Sequence, residues 1–495
     1  MTGKLGGLSY NKRPAVGQQV IAKEERRGME PLMRGLLCIA VGAAIWLAPI
    51  PEGVKPEAWH LLAVFAATIA GFILQPLPIG ATAMIACTAL VIFGVMKPGE
   101  ALAGFSNGTI WLIVSAFMFA EGFIKTGLGR RISYVLLSRF GSSTLRVAYV
   151  MSAADFIIAP FTPSNTARGG GIIFPIVRSV CAAIGSEPDK EENRRTGAFL
   201  IYSSYGAVIT SACIFLTGAS NNVLATSLAQ ELFGVSMGWG DWFLACIVPG
   251  LLLTVLTPWL LYKLINPELK KTPETQQMAK NELHLMGPMT LAEKVLCVIF
   301  VSALVLWATG SIHHIDSAFV ALLGLSAMIV ARILNWDDVL HQKGAWDVLI
   351  WMGVLINMAA YLSKFGLMDW FAAAVGAQFS GLSWFYMLIV LSVIYLYAHY
   401  GLASNSAHIM ALFGAFGAIL VTAGAPVLGV LILFGALANS ASFLTHYGCG
   451  VTPIFFGANF MGQGKWWKIG FIIATVHLII WLGIGLPWMK AIGFF

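Results

Sequence analysis

Ser164-Asn165-Thr166-Ala167-Arg168 returns at an offset of 240 (404 less 164) as Ser404-Asn405-Ser406-Ala407-His408. Each run joins two apolar segments and is itself rich in small hydroxyl and amide residues. Each also sets a cationic or titratable residue four positions after its first serine. Two such runs, at matched positions in an otherwise apolar chain, read as related half-sites facing one polar ligand in the middle of a bilayer.

The composition supplies the bilayer. Of the 495 residues, 58% are hydrophobic and 11% charged, and mean hydropathy is +0.80. Soluble domains carry about 25% charged residues, so most of this chain must face lipid or other membrane helices. The 52 glycines suit close helix contacts and broken helices. The cysteines at 38, 87, 181, 213, 246, 297 and 449 are scattered without metal-ligand spacing and read as small core residues. No phosphate loop, nucleophile triad or metal motif stands out, and no cofactor is expected. The segment 1–33 reads as a basic cytoplasmic tail. The apolar run that follows ends in Ala48-Pro49-Ile50-Pro51 without a small-residue cleavage site, which reads as a signal anchor.

A spanning helix needs about 20 apolar residues. Eleven spans are expected, near 34–51, 58–76, 79–96, 107–125, 197–232, 242–265, 290–310, 315–334, 346–363, 425–458 and 467–491. The apolar arms at 147–160, 169–184, 384–399 and 408–423 are shorter and meet in pairs at the two Ser-Asn runs. They are expected to form re-entrant hairpins, 147–184 and 384–423, with tips near the midplane. Irregular backbone is tolerated at that depth where protein or a water-filled cavity covers it. With the N-terminus cytoplasmic, all 30 Lys and Arg fall on the inside except Lys55, Lys97, Lys364, Lys490 and Arg168, as the positive-inside rule demands. The C-terminus then lies outside.

The repeat reaches past the tips. Gly127-Leu128 and Gly366-Leu367 each follow a Trp-containing span and open an amphipathic stretch. The first stretch is basic (Arg130, Arg131, Arg139) and the second nearly neutral (Lys364, Asp369), which fits two halves of opposite orientation. Phe215-Leu216-Thr217 and Phe443-Leu444-Thr445 each interrupt a long span. The organisation expected is a first helix at 34–57, an inverted repeat at 58–266, a cytoplasmic linker at 267–289 and a second inverted repeat at 290–495. Inverted repeats with broken helices and midplane polar loops are the signature of secondary transporters.

A hairpin tip exposes unpaired backbone N–H groups that favour an anion, and Ser, Thr and Asn add neutral donors. The expected binding residues are Ser164, Asn165 and Thr166 on one tip, Ser404, Asn405 and Ser406 on the other, and Thr217, Gly218, Thr445 and His446 on the broken spans. A helix cap is the plain reading of one such run; two matched copies favour a ligand with an acidic group at each end. Arg168 is costly at membrane depth, and its candidate partner is Asp155, which has Tyr395 rather than an acid at its repeat position. Glu121 and Lys125, four apart, are expected to pair with each other. His399-Tyr400 and His446-Tyr447 lie near the second run as ligand contacts or packing.

These runs resemble the divalent-anion/sodium symporter family over nearly the whole chain. The stretches Pro160-Phe161-Thr162-Pro163-Ser164-Asn165-Thr166-Ala167-Arg168-Gly169-Gly170, Gly127-Leu128-Gly129-Arg130-Arg131 and Leu444-Thr445-His446-Tyr447 are most similar to its exchanger branch of citrate/succinate, tartrate/succinate and 2-oxoglutarate/malate antiporters. The resemblance implies a homodimer in the inner membrane, scaffold and transport domains, and elevator-type alternating access. Symporters of the family hold sodium beside each motif; here Arg168 and His408 stand there as charges that replace it. The loop at 445–450 lacks a Thr-Gly-Pro and resembles the plastid translocators. That tilts the implied substrates to 2-oxoglutarate, malate, succinate and fumarate. The expected activity is therefore sodium-independent dicarboxylate exchange. The alternative is sodium-coupled dicarboxylate or tricarboxylate symport. An anion channel fits less well with hairpins capped on both sides, and an intramembrane hydrolase would need a second acid that the repeat does not provide.

Overall fold

The computed structural model describes residues 31–495 except 368–369, 372–373 and 375–382. The basic tail up to residue 30, and with it most of the expected 1–33 tail, lies outside the described residues, as does most of the amphipathic stretch after Leu367. The described residues form helices joined by short loops, with one isolated bridge between Ser143 and Lys271.

Burial sorts the helices into layers. In their most apolar stretches, Arg194–Ile214 is 100% and Val427–Leu444 89% buried by protein, against 28% for Leu291–Ala308. The first two therefore form the core and the third presents itself to lipid, with Val298, Val301 and Val305 exposed. Both core helices break where the sequence reading placed interruptions. Arg194–Ile214 ends at Phe215, which is extended, and after a turn at Leu216–Gly218 the chain resumes as Ser220–Phe233. Val427–Ser440 continues through a turn at Ala441–Leu444 to an extended Thr445, and a short helix follows at Thr452–Phe456. Three buried amides tie the breaks together. Asn439 Nδ2 donates to Asn222 Oδ1 at 2.7 Å, Asn221 Nδ2 donates to Asn439 Oδ1 at 3.2 Å, and Asn222 Nδ2 donates to the Ala212 and Phe215 carbonyls at 2.7 and 2.9 Å. The last two bonds satisfy carbonyls that the break releases from the helical ladder.

Among the described residues eleven helices are long and apolar enough to cross a membrane, the number read from the sequence, but three members of the set differ. Pro31–Leu47, Ile79–Ile92 and Ser317–Val330, read as spans, are shorter apolar helices that fall outside this set. Two of them stop early for one local reason. Gly94 (φ 68°) and Arg332 (φ 55°) turn left-handed, and the amides of Val95 and Ile333 close back on Leu90 and Met328 at 2.9 Å, a C-terminal cap of the Schellman kind. The hairpin arms, expected to be too short to span, are longer than read. Thr144–Phe161, Trp384–Gly401 and Asn405–Thr422 all belong to the set of eleven: tight turns at Ala159–Phe161 and His399–Gly401 carry the first arms to the tips, and the third helix starts at its tip, capped by Ser404.

The repeat is written in the same caps. Left-handed residues pair as Gly94 with Arg332, Gly127 with Gly366, and Gly185 with Gly424. The offsets within these pairs (332 less 94, 366 less 127, 424 less 185) nearly match the offset between the tips. Between the halves, the stretch read as a linker contains a helix, Pro273–Met286, packed on Leu128–Phe140. Lys125 does not pair with Glu121 as expected. It pairs with Asp338, while Glu121 accepts from Gln342 Nε2 at 3.1 Å. Asp338 is held in place by a capping box with Asn335, so a preorganised partner on another segment displaces the local pair.

Glu268, in the linker, caps the core helix. It accepts from the Arg195 amide at 3.1 Å and Nε at 2.9 Å, and from the Thr196 amide at 2.7 Å and hydroxyl at 2.9 Å. Partial burial pushes its carboxyl up, but these bonds outweigh it and hold the carboxyl down at about 2 against 4.5. A carboxyl lowered by folding stabilises fully above its unfolded value and loses that contribution as pH falls through its folded one. We expect Glu268→Gln to cost about 1–2 kcal/mol at pH 7. The gap to wild type should narrow below pH 4.5 and close near pH 2. Thermal unfolding of both proteins in detergent across pH checks this; a gap unchanged at acid pH would contradict it.

Candidate functional site

The first half-site is built around one buried cation. Arg168 is 0% exposed and lies in a π-helical stretch, Thr166–Ile173, a form frequent at functional sites. A guanidinium has five N–H donors and no acceptor, and every nitrogen here is engaged. Nε donates to both Asp155 oxygens at 3.0 and 3.2 Å. Nη1 donates to the Thr162 and Gly218 carbonyls at 2.7 and 2.8 Å. Nη2 donates to Asn165 Oδ1 at 3.2 Å and the Val208 carbonyl at 3.0 Å. Ser211 Oγ donates to Asp155. One side chain thus joins both arms of the first hairpin to both sides of the first break.

This fixes the tip. Because Arg168 only donates, Asn165 must turn its oxygen inward, and its amide N–H groups face away from the guanidinium. Ser164 Oγ accepts from the Ala167 amide at 3.1 Å and acts as a cap. Thr166 is exposed at the tip. Thr217 Oγ1 donates to the Pro160 carbonyl and accepts from Trp239 Nε1 at 3.0 Å. Together with the Gly218 carbonyl on Arg168, it is engaged in joining break to tip. The Ser220 amide donates to the Pro163 carbonyl at 2.8 Å, closing the same joint.

At the second tip, Ser404 Oγ accepts from the Ala407 amide at 3.4 Å, and Asn405 Oδ1 accepts from Ser442 Oγ at 2.9 Å. Ser406 is half-buried beside them. His408 is fully buried. Its Nδ1 lies 2.8 Å from Nδ1 of His399, whose Nε2 lies 2.7 Å from the Gly448 carbonyl. Among the described residues no acid plays the part of Asp155 here: Tyr395 occupies the repeat position and packs its ring on His408 at 4.2 Å. Thr445 Oγ1 is buried and unpartnered among the described residues. His446 Nδ1 accepts from Trp467 Nε1 at 3.1 Å.

The two half-sites meet at the second break. A Cβ on Gly450 would lie 2.7 Å from Thr166 Oγ1, and one on Gly169 would lie 2.6 Å from Val451. Residues 442–451 therefore touch Asn405 of one tip and Thr166 of the other. Sequence reading named both tips but missed Thr162, Val208 and Ser211 around Arg168, and Ser442, Gly448 and Gly450 at the second break. Backbone carbonyls carry no residue signal, and the serines are ordinary until the fold aligns them. A separate cavity of about 630 Å³, lined by Phe156, Phe161, Phe215, Phe243, Phe300 and Leu304 among others, lies between the first hairpin and Leu291–Ala308. Its walls are apolar and unsuited to an anion.

Comparison with known proteins adds identity to this geometry. Residues 30–495 match the family described as the sodium:sulfate symporter transmembrane region. A candidate malate transporter, YflS, of Bacillus subtilis (strain 168) is 45% identical over 459 residues, 92% of this chain and 96% of that one. The chloroplastic dicarboxylate transporter 1 of Spinacia oleracea is 41% identical over 467 residues, 94% of this chain and 82% of its own. The crystal structure of the Alcanivorax borkumensis YdaH transporter aligns with a TM-score of 0.56 at 14% identity, covering 94% of this chain and 99% of that one. That likeness is one of fold.

Removing one partner of a buried ion pair strands the other, at about 3–5 kcal/mol. Arg168→Ala and Asp155→Asn should each lower stability on this scale, and the double variant should cost clearly less than their sum. Arg168→Lys should rescue poorly, since an ammonium cannot span the carboxylate, three carbonyls and Asn165. Thermal unfolding of the four purified variants measures this without any transport assay. Additive losses would show that the two side chains act apart.

Proposed function

Because this chain belongs to the sodium:sulfate symporter family, we propose that it is a secondary transporter, not an enzyme, that exchanges C4 and C5 dicarboxylates across the plasma membrane without sodium. The observation that carries the reading is the environment of Arg168. Three backbone carbonyls and the Asn165 oxygen converge on its guanidinium, an arrangement of acceptors that would otherwise suit a free cation. A covalently held charge in that place leaves no room for a coupling ion to come and go. His408 occupies the repeat position at the second tip.

Relatives named for malate and for dicarboxylates support the substrate class. In this reading the Asn165 amide and Thr166 hydroxyl serve one carboxylate, and the Asn405 side chain, Ser406 and the free Thr445 hydroxyl serve the other. Each is aided by the backbone amides at its tip. Asp155 neutralises Arg168, so an empty carrier is not burdened with bare charge at the first tip. The cost of returning empty falls instead on tip donors left without partners. Re-entrant hairpins that move against a fixed scaffold, in a homodimer with a cytoplasmic N-terminus, complete the proposal. The apolar walls between the first hairpin and Leu291–Ala308 support it, because a face without hydrogen bonds resists sliding least.

Counterflow in proteoliposomes tests the exchange. We expect labelled succinate or 2-oxoglutarate to enter vesicles preloaded with dicarboxylate, with or without sodium, and to enter empty vesicles far more slowly. Sodium-driven uptake into empty vesicles at a comparable rate would establish symport instead.

Asn165→Ala and Asn405→Ala should each weaken binding by about 1.5–3 kcal/mol, or roughly ten-fold to over a hundred-fold. Lactate, with one carboxylate, should bind poorly. Ligand-induced thermal shifts with succinate and lactate check both statements. Loss in only one variant, or equal stabilisation by lactate, would rule out a clamp from two sides.

A further inference from the structure

The histidine pair behind the second tip has a proton arrangement that its geometry determines. The Gly448 carbonyl can only accept, so His399 Nε2, 2.7 Å away, must carry a hydrogen. Between the two Nδ1 atoms, 2.8 Å apart, there is room for one hydrogen. With His399 neutral, its Nδ1 is bare, and that hydrogen belongs to His408. His408 Nε2 is then the one nitrogen of the pair left open. It is buried and has no hydrogen-bond partner among the described residues.

We infer that His399 is a positioning residue: it relays the Gly448 carbonyl to His408 Nδ1, fixes the tautomer and ring of His408, and confines proton binding at the second tip to His408 Nε2. The inference deepens the reading of this tip as half of a dicarboxylate site. The charge beside the first tip is permanent and countered by Asp155, whereas the charge beside the second is present only when Nε2 holds a proton. Nε2 is the open end of a chain that starts at the second break, so the same loop that touches both tips also sets where that proton binds.

Among the described residues the surroundings supply no competing partner. The helix Asn405–Thr422 packs on Trp384–Ala398, Val427–Ser440, Ser220–Phe233 and Pro56–Leu74. The first carries Tyr386, Tyr395 and Tyr397, of which Tyr395 touches His408 through its ring. The second carries no titratable group, the third Glu231, and the fourth Glu57 and His60, none of which is bonded to His408. The 441–451 segment brings His446, Tyr447 and Cys449, held on Trp467, the Tyr400 carbonyl and Thr452.

Two experiments test the inference. Nitrogen-15 NMR of histidine-labelled wild-type protein in nanodiscs, assigned with His408→Gln and His399→Gln, reads the tautomers directly. We expect, in the neutral form, Nδ1–H on His408 and Nε2–H on His399. The opposite tautomer on either ring overturns the inference whether or not the protein transports anything. The second experiment is counterflow of labelled succinate at equal internal and external pH, stepped from 6 to 8. Wild type should follow a one-proton profile. His399→Phe, which offers His408 no acceptor, should shift or flatten it, and His399→Gln, with both an acceptor and a donor, should keep it. A His399→Phe profile that overlays wild type, or equal rate losses in both variants with an unmoved profile, overturns the positioning role. A protein that exchanges no dicarboxylate at any pH would defeat the functional reading, and the NMR result would still decide this one.

Discussion

A guanidinium deep in an apolar protein must find partners for five donors, and much of this architecture is arranged around that requirement. Arg168 meets it with one carboxylate, one amide oxygen and three main-chain carbonyls. Two of those carbonyls, Thr162 and Gly218, are available only because the hairpin turns at Thr162 and the core helix breaks after Ile214, while the third, Val208, lies inside that helix. The break would otherwise leave buried polar backbone unsatisfied, and the arginine would otherwise be an uncompensated charge. Each defect is the remedy for the other. This explains how irregular backbone persists at the centre of a chain that is 58% hydrophobic.

The second half shares the framework without the same chemistry. Its helix breaks at the matching place and its tip carries the matching run, but a histidine stands in place of the arginine and Tyr395 in place of the acid. A neutral imidazole asks far less of its surroundings than a guanidinium, so a single neighbouring ring and one carbonyl suffice. Duplication followed by divergence of two positions would leave this pattern: common geometry, with a fixed charge on one side and a conditional one on the other.

The sequence made the two tips legible because the motif is contiguous and occurs twice, and it made the breaks legible because polar residues interrupt otherwise apolar runs. The pairing of Arg168 with Asp155 was visible as a candidate, since few acids lie at membrane depth. What stayed hidden was carried by backbone or by distant segments. The Gly448 and Val208 carbonyls have no signature in residue type, and Asp338 captured Lys125 from a distant part of the chain in place of the local Glu121. Helix lengths were misjudged at Ile79–Ile92 and Ser317–Val330 because apolar residues continue past the left-handed caps. Hydropathy does not register a change of backbone direction.

The countered arginine has an electrical consequence. A charge that crosses a membrane exchanges about 2.3 kcal/mol with the field for every 100 mV, and a carrier with net charge at its centre is driven or braked by that field on each passage. Arg168 and Asp155 together form a dipole of zero net charge, so under the proposed alternating access the first half-site would add nothing to this work. When two dicarboxylates of equal valence trade places, the remaining terms cancel between the outward and return passages. Under the proposed exchange, direction would follow the concentrations on the two sides, and the carrier would run alike in an energised and a depolarised cell.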